Sequence, residues 1–137
     1  MVRKEVIRKR INKLDEYLSI LRVLQEYSYD EFIKSPERYG SAERFLHLAV
    51  ESILDLGNHI IADDRLGIVN WYNDIPKILE QNGVIDAKIR EKWIQMIGFR
   101  NVLVHQYLDV DRSIVYDVLE NYLEDIEMLR KVFARYL

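Results

Sequence analysis

Between Glu43 and Ala62 the chain reads Glu-Arg-Phe-Leu-His-Leu-Ala-Val-Glu-Ser-Ile-Leu-Asp-Leu-Gly-Asn-His-Ile-Ile-Ala. Its apolar residues Phe45, Leu46, Ala49, Val50, Ile53, Leu54, Leu56, Ile60 and Ile61 fall between 0° and about 180° when Phe45 is taken as zero. At about 100° per residue they occupy one half of an ideal helix. His47, Glu51, Asp55 and His59 stand four apart each time and drift by about 40° per step. They form a polar stripe within an arc of about 120° on the opposite side. A helix with so clean an apolar half must bury it against other helices, which predicts an all-α fold.

Working outward, the same period recurs on both sides. Val6, Ile7, Ile11, Leu14, Leu18, Leu21 and Leu24 mark a helix over residues 2–25. Ser28 stands three before Glu31, a capping-box spacing that opens a short helix. Ser35-Pro36 and Gly40 should end it, and Ser41 should cap the helix of residues 42–62. Asn73 or Asp74, with Pro76 nearby, starts a shorter helix that Asn82-Gly83 stops. Asp86 caps a helix running from about Ala87 to Leu103. Asp111 caps the last, carrying Ile114, Val118, Tyr122, Ile126, Leu129 and Phe133. No strand alternation, internal repeat or low-complexity segment interrupts this order. The expected architecture is an antiparallel bundle of four main helices plus one or two short helices, forming a single domain over residues 1–137.

Composition bounds the chemistry. With 137 residues, 49 % of them hydrophobic, the chain can bury a core of its own. There is no Cys, which removes disulfides, thiolate nucleophiles and Cys-based zinc sites. The basic N-terminal stretch has no apolar segment behind it, so it does not read as a secretory signal. No apolar run approaches the roughly 18 residues of a membrane span, so the expected place of action is cytoplasmic, without a membrane partner. A net charge of −3 is not that of a protein gripping long stretches of phosphate backbone. Nucleic-acid contact would fall to a local cluster such as Arg3, Lys4, Arg8, Lys9, Arg10 and Lys13, which read blandly is a solvated helix face.

Three constellations carry potential chemistry. The stripe of His47, Glu51, Asp55 and His59 has donors that can share an ion, but equally suits a solvated face or one lining a groove. The string Arg100-Asn101-Val102-Leu103-Val104-His105-Gln106-Tyr107 ends an apolar helix just before two further acidic caps. A neutral His can draw the proton from an RNA 2′-hydroxyl, and an Arg can hold the charge that builds on the attacked phosphate. No cofactor or metal is needed. The alternative is that His105 caps a helix end while Arg100 pairs with a carboxylate. The two residues diverge by about 140° on a continuous helix, so they converge only if the helix unwinds near Val104 or if two surfaces share them. The acidic run Glu120, Glu124, Asp125 and Glu127, with Arg130 and Lys131, reads as a solvated, salt-bridged face.

Arg-Asn-x-x-x-His-x-Tyr at the end of the penultimate long helix resembles the motif of HEPN domains, in the branch of the HepT-like toxins. Residues 43–62 look like that branch's second main helix. The resemblance implies a metal-independent RNA endonuclease, the toxin of a toxin–antitoxin pair, acting as a homodimer whose two motifs line one cleft. By the same resemblance Arg100 and His105 are catalytic, and Asn101 is their polar companion. Tyr107 is the tyrosine that a nucleotidyltransferase antitoxin adenylylates to silence the toxin. The stripe of His47, Glu51, Asp55 and His59 would flank the cleft. The alternative within the resemblance is a non-catalytic, substrate-binding subunit of a nucleotidyltransferase. Trp71, Tyr72, Trp93 and Tyr107, large residues near helix ends, are expected to mark the interface between copies.

Overall fold

The computed structural model describes residues 1–106 and 108–137. Among them seven helices follow one another: α1 (Lys4–Leu24), α2 (Tyr29–Ile33), α3 (Pro36–Asp63), α4 (Asp74–Gln81), α5 (Ala87–His105), α6 (Arg112–Asn121) and α7 (Leu123–Ala134). The all-α expectation holds, and α3 touches every other helix. Contacts along each pair fix the directions. Tyr17 meets Phe45 while Arg3 meets Asp63, so α1 and α3 run antiparallel. Asp15 pairs with Arg130 and Arg22 with Glu127, so α1 and α7 do too.

Most caps are those the sequence announces. Ser28 and Glu31 exchange side-chain and backbone hydrogen bonds at 3.2 and 3.0 Å. Asp86 accepts from the Ile89 amide at 2.8 Å, and Asp111 from the Ser113 amide at 2.9 Å. Asn82 is the C-cap of α4, and Gly83 follows at φ 75°, where a missing Cβ matters. Its neighbour Val84 then donates back to Leu79 at 2.9 Å.

Several expectations need correction. Gly40 and Ser41 do not separate two helices. Ser35 caps α3 directly, its oxygen accepting from Arg38 N at 3.4 Å with Pro36 at the first turn, and the helix runs through Gly40. A mid-helix Gly costs only about 1 kcal/mol, which the packing of a long helix outweighs. The last helix is two, parting at Tyr122. Val115, Leu119 and Leu123 face the core, while Ile114 is exposed and Val118 and Tyr122 are half-buried. The sequence carries both rows at the same spacing, so seating against the bundle decides which turns inward. Asp125, read as solvated, is 7 % exposed, where Lys92 donates to it at 3.0 Å. A carboxylate so placed needs that partner.

The core is one continuous cluster centred on α3. Trp93, expected at an interface, is 0 % exposed and stacks edge-on against Phe133 at 5.8 Å. It reaches α3 at Gly57. A methyl placed on Gly57 would lie 2.6 Å from Cγ2 of Ile75 and 2.8 Å from Cη2 of Trp93. Gly57→Ala should therefore destabilise by about 1–3 kcal/mol through overpacking. Gly40→Ala, which meets nothing within 4 Å, should stabilise by about 0.5–1 kcal/mol. Denaturant midpoints of the two variants would show the opposite signs, and a neutral Gly57→Ala would count against the close packing of α3 on α4 and α5.

Candidate functional site

On α5 the buried residues Trp93, Met96, Ile97 and Leu103 form the inward stripe. Arg100 falls on that same stripe by spacing, where a core residue would be expected. A cation there needs a counter-charge, and α3 supplies one. Arg100 Nε donates to Glu51 Oε1 at 2.5 Å, and His47 Nε2 lies 3.3 Å from the same oxygen. Arg100 Nη1 donates to Asn101 Oδ1 at 3.1 Å. The guanidinium carbon stands 4.6 Å from the centre of the Tyr72 ring. The side chain is 13 % exposed. Glu51 on one edge, Asn101 at one end and Tyr72 on one face thus hold the guanidinium in a single orientation.

The helix does not unwind at Val104. It continues through His105, and the Gln106 amide still donates to Val102 at 2.9 Å. The turn begins only after His105, where Asp109 N donates to Gln106 O at 2.9 Å. Arg100 and His105 therefore lie on different faces of one regular helix, about 140° apart by its geometry. His105 is exposed in the last turn. Both bland alternatives are realised: Arg100 pairs with a carboxylate and His105 sits at a helix C-terminus. Tyr107 lies outside the described residues.

The stripe on α3 does not act as one unit. His47 and Glu51 belong with Arg100. Asp55 is exposed and lines a hollow of about 280 Å³ with Trp71 and Tyr72. His59 turns toward α1. Burial, then the Arg10 and Arg3 cations, hold its imidazole below the ordinary value, against the opposite pull of Asp55 and Asp63. The drift of about 40° per step carries the row from the α5 side of the helix to the α1 side. So only part of the stripe can flank a cleft at the motif. Among the described residues no group of three His, Asp or Glu side chains could hold a metal ion. Tyr72, expected among the interface aromatics, also lies against the Arg100 guanidinium, and a lone Tyr before Pro76 gives no signal in the sequence that it will meet a cation from α5.

Over residues 7–132 the chain matches the family described as Ribonuclease HepT-like. It is 34 % identical over 82 residues to an mRNA nuclease HepT of Shewanella oneidensis, a match spanning 60 % of this chain and 62 % of that relative. It is 24 % identical over 134 residues to a tRNA nuclease HepT of Aphanizomenon flos-aquae, spanning 96 % and 90 %. Among solved structures, it superposes on a tri-AMPylated Shewanella oneidensis HEPN toxin in complex with MNT antitoxin. The TM-score is 0.88 at 25 % identity, covering 97 % of this chain and 99 % of that one.

The lowered His59 value carries a stability prediction. A depressed folded pKa means that protonation favours the unfolded chain. The neutral ring's contribution is whole above the unfolded value of about 6.5 and is lost as pH falls through the lower folded value. Between about pH 7.5 and about pH 5, His59→Gln should lose less stability than the wild type, as read from urea midpoints at the two pH values. Equal losses would refute the assignment.

Proposed function

This chain belongs to the HepT-like ribonuclease family, and on that premise we propose that it is an RNA endonuclease in which Arg100 and His105 carry the cleavage. It is read as the toxin of a pair whose antitoxin is a nucleotidyltransferase, working in the cytoplasm. The structural relative bound to MNT antitoxin supports that part. For location, among the described residues no helix is long and apolar enough to cross a membrane.

The observation that carries the site assignment is the guanidinium of Arg100, held before any substrate arrives. Its Nε edge is engaged by Glu51 and Nη1 by Asn101. In this reading an incoming phosphate meets the guanidinium already so held. Orientation set in advance is what makes a charge partner effective in a transition state, because nothing need reorganise as the charge develops. Glu51 is in this reading a positioning residue, and Asn101 supports it. The step itself balances simply. His105 takes the proton from the 2′-hydroxyl, O2′ attacks the adjacent phosphorus, and the bond to the 5′-oxygen breaks as that oxygen takes a proton from water, the imidazolium returning its own to solvent. The products are a 2′,3′-cyclic phosphate and a 5′-hydroxyl. Arg100 neutralises the charge on the phosphorane between.

Because α5 is regular through His105, one chain does not aim both groups at one phosphate. A homodimer supplies them from two copies lining a shared cleft. An apolar groove of about 370 Å³, lined by Phe99, Val102, Ile114 and Val118, offers a second copy a face to bury beside the motif. The second reading, a non-catalytic substrate-binding subunit of a nucleotidyltransferase, is favoured by how little of Arg100 is exposed.

Cleavage of total RNA in EDTA separates the two. The wild type should cut, and Arg100→Ala and His105→Ala should each lose roughly a hundredfold or more in rate. A wild type that leaves RNA intact would decide for the binding subunit, and variants that cut equally well would overturn the assignment of Arg100 and His105.

Tyr107 is proposed as the modified residue. An adenylyl group two residues from His105 adds bulk and negative charge, which repels the substrate's phosphates. Coexpression with the cognate nucleotidyltransferase should add one or more AMP masses to the peptide holding Tyr107 and abolish cleavage. Tyr107→Phe should escape silencing, so a silenced Phe variant would sink the regulatory claim alone.

A further inference from the structure

The connector between α3 and α4 carries an unusual load. Ile68, Trp71 and Tyr72 are 80 %, 78 % and 44 % exposed within five residues. The backbone under Trp71 is nonetheless fixed. Asp74 Oδ2 accepts from the Asn70 and Trp71 amides at 3.0 and 2.9 Å. Those two donations hold the Asp74 carboxyl below its ordinary range. The indole is thus an exposed plane on a built turn rather than a side chain on a loose loop.

Behind it lies the hollow of about 280 Å³, with Leu54 in its floor and Asp55, Asn58 and Asn70 on its polar rim. Tyr72 borders the same hollow and at the same time lies against the Arg100 guanidinium, so a single ring separates the hollow from the proposed phosphate clamp. We propose that this hollow receives an unpaired nucleobase next to the scissile phosphate, stacked on Trp71. The proposal rests on the ribonuclease reading above.

Three features select a base over other occupants. Stacking on an exposed indole suits any base, since every base has a π-face, and contributes about 1–3 kcal/mol. Two amide side chains on the rim offer both donors and acceptors to a base edge. The Asp55 carboxylate repels a phosphate, so the neutral base enters and the backbone stays with Arg100. A charged rim also fits poorly with the apolar centre of a protein interface, which is depleted in charge. Because an ionised carboxylate accepts and does not donate, Asp55 favours bases bearing an exocyclic amino group over uracil.

The test uses hexanucleotides with 2′-O-methyl riboses, which lack the attacking hydroxyl and report binding alone. Fluorescence anisotropy should show oligo-A bound more tightly than oligo-U by the full-length protein. Trp71→Ala should weaken oligo-A binding by roughly tenfold or more, while Trp71→Phe, which keeps a ring, stays within about threefold. Asp55→Asn should narrow the gap between oligo-A and oligo-U. Circular dichroism confirms that each variant is folded. Absence of wild-type binding, or Trp71→Ala binding like the wild type, overturns the proposal. Sedimentation showing that Trp71→Ala separates the subunits would give this face to a second copy and also overturn it. The ribonuclease reading fails by a different sign, intact RNA in the cleavage assay, which leaves Trp71-dependent binding standing.

Discussion

The close approach of α4 and α5 to α3 at Gly57 is the constraint on which the arrangement around it depends. The space a side chain would fill holds a methyl of Ile75 and the ring edge of Trp93. With Trp93 seated there, the two helices are in register. Glu51 lies six residues back along α3 and Arg100 seven residues on along α5, so antiparallel helices bring them level. At about 1.5 Å per residue those steps are about 9 and about 10.5 Å, close enough for side chains to absorb the difference. The ion pair that positions Arg100 is therefore a consequence of core packing several residues away.

That pair also explains why a cation is tolerated on an inward-facing stripe. Taking a guanidinium out of water is costly unless its hydrogen-bonding edges are met. Here a carboxylate, an amide oxygen and an aromatic face meet them in part. Replacing the pair by apolar residues of similar size is the kind of change that is often neutral or stabilising. Stability alone therefore does not account for a charged pair on this stripe, whereas a guanidinium held in one orientation fits the role proposed for it above. The same helix end leaves His105 exposed, so one regular helix presents a held cation on one side and a solvated imidazole on another.

Four features escape the sequence for one physical reason. Gly40 read as a breaker because helix propensity is local, whereas the burial of Ala42 and Leu46 against the bundle is not. Ile114 and Val115 offer equivalent rows, and only contact with neighbouring helices distinguishes them. Trp93 read as an interface residue because a large aromatic near a helix end has no sequence mark for a notch at Gly57, thirty-six residues away. Asp125 read as solvated because nothing near it in the chain announces Lys92.

What the sequence determined by itself is what short-range physics controls: the helical period, the caps at Ser28, Asp86 and Asp111, the stop at Asn82-Gly83, and the spacing of Arg100, Asn101, His105 and Tyr107 that carries the family likeness. The tertiary structure decided the partners. Glu51 rather than Asp55 meets Arg100, Tyr72 lies against it, and His59 turns away toward α1. A helical stripe drifts about 40° with every four residues, so neighbours on one helix face different helices. Which of them meets which side chain follows from the depth and register of packing, and those are properties of the assembled core.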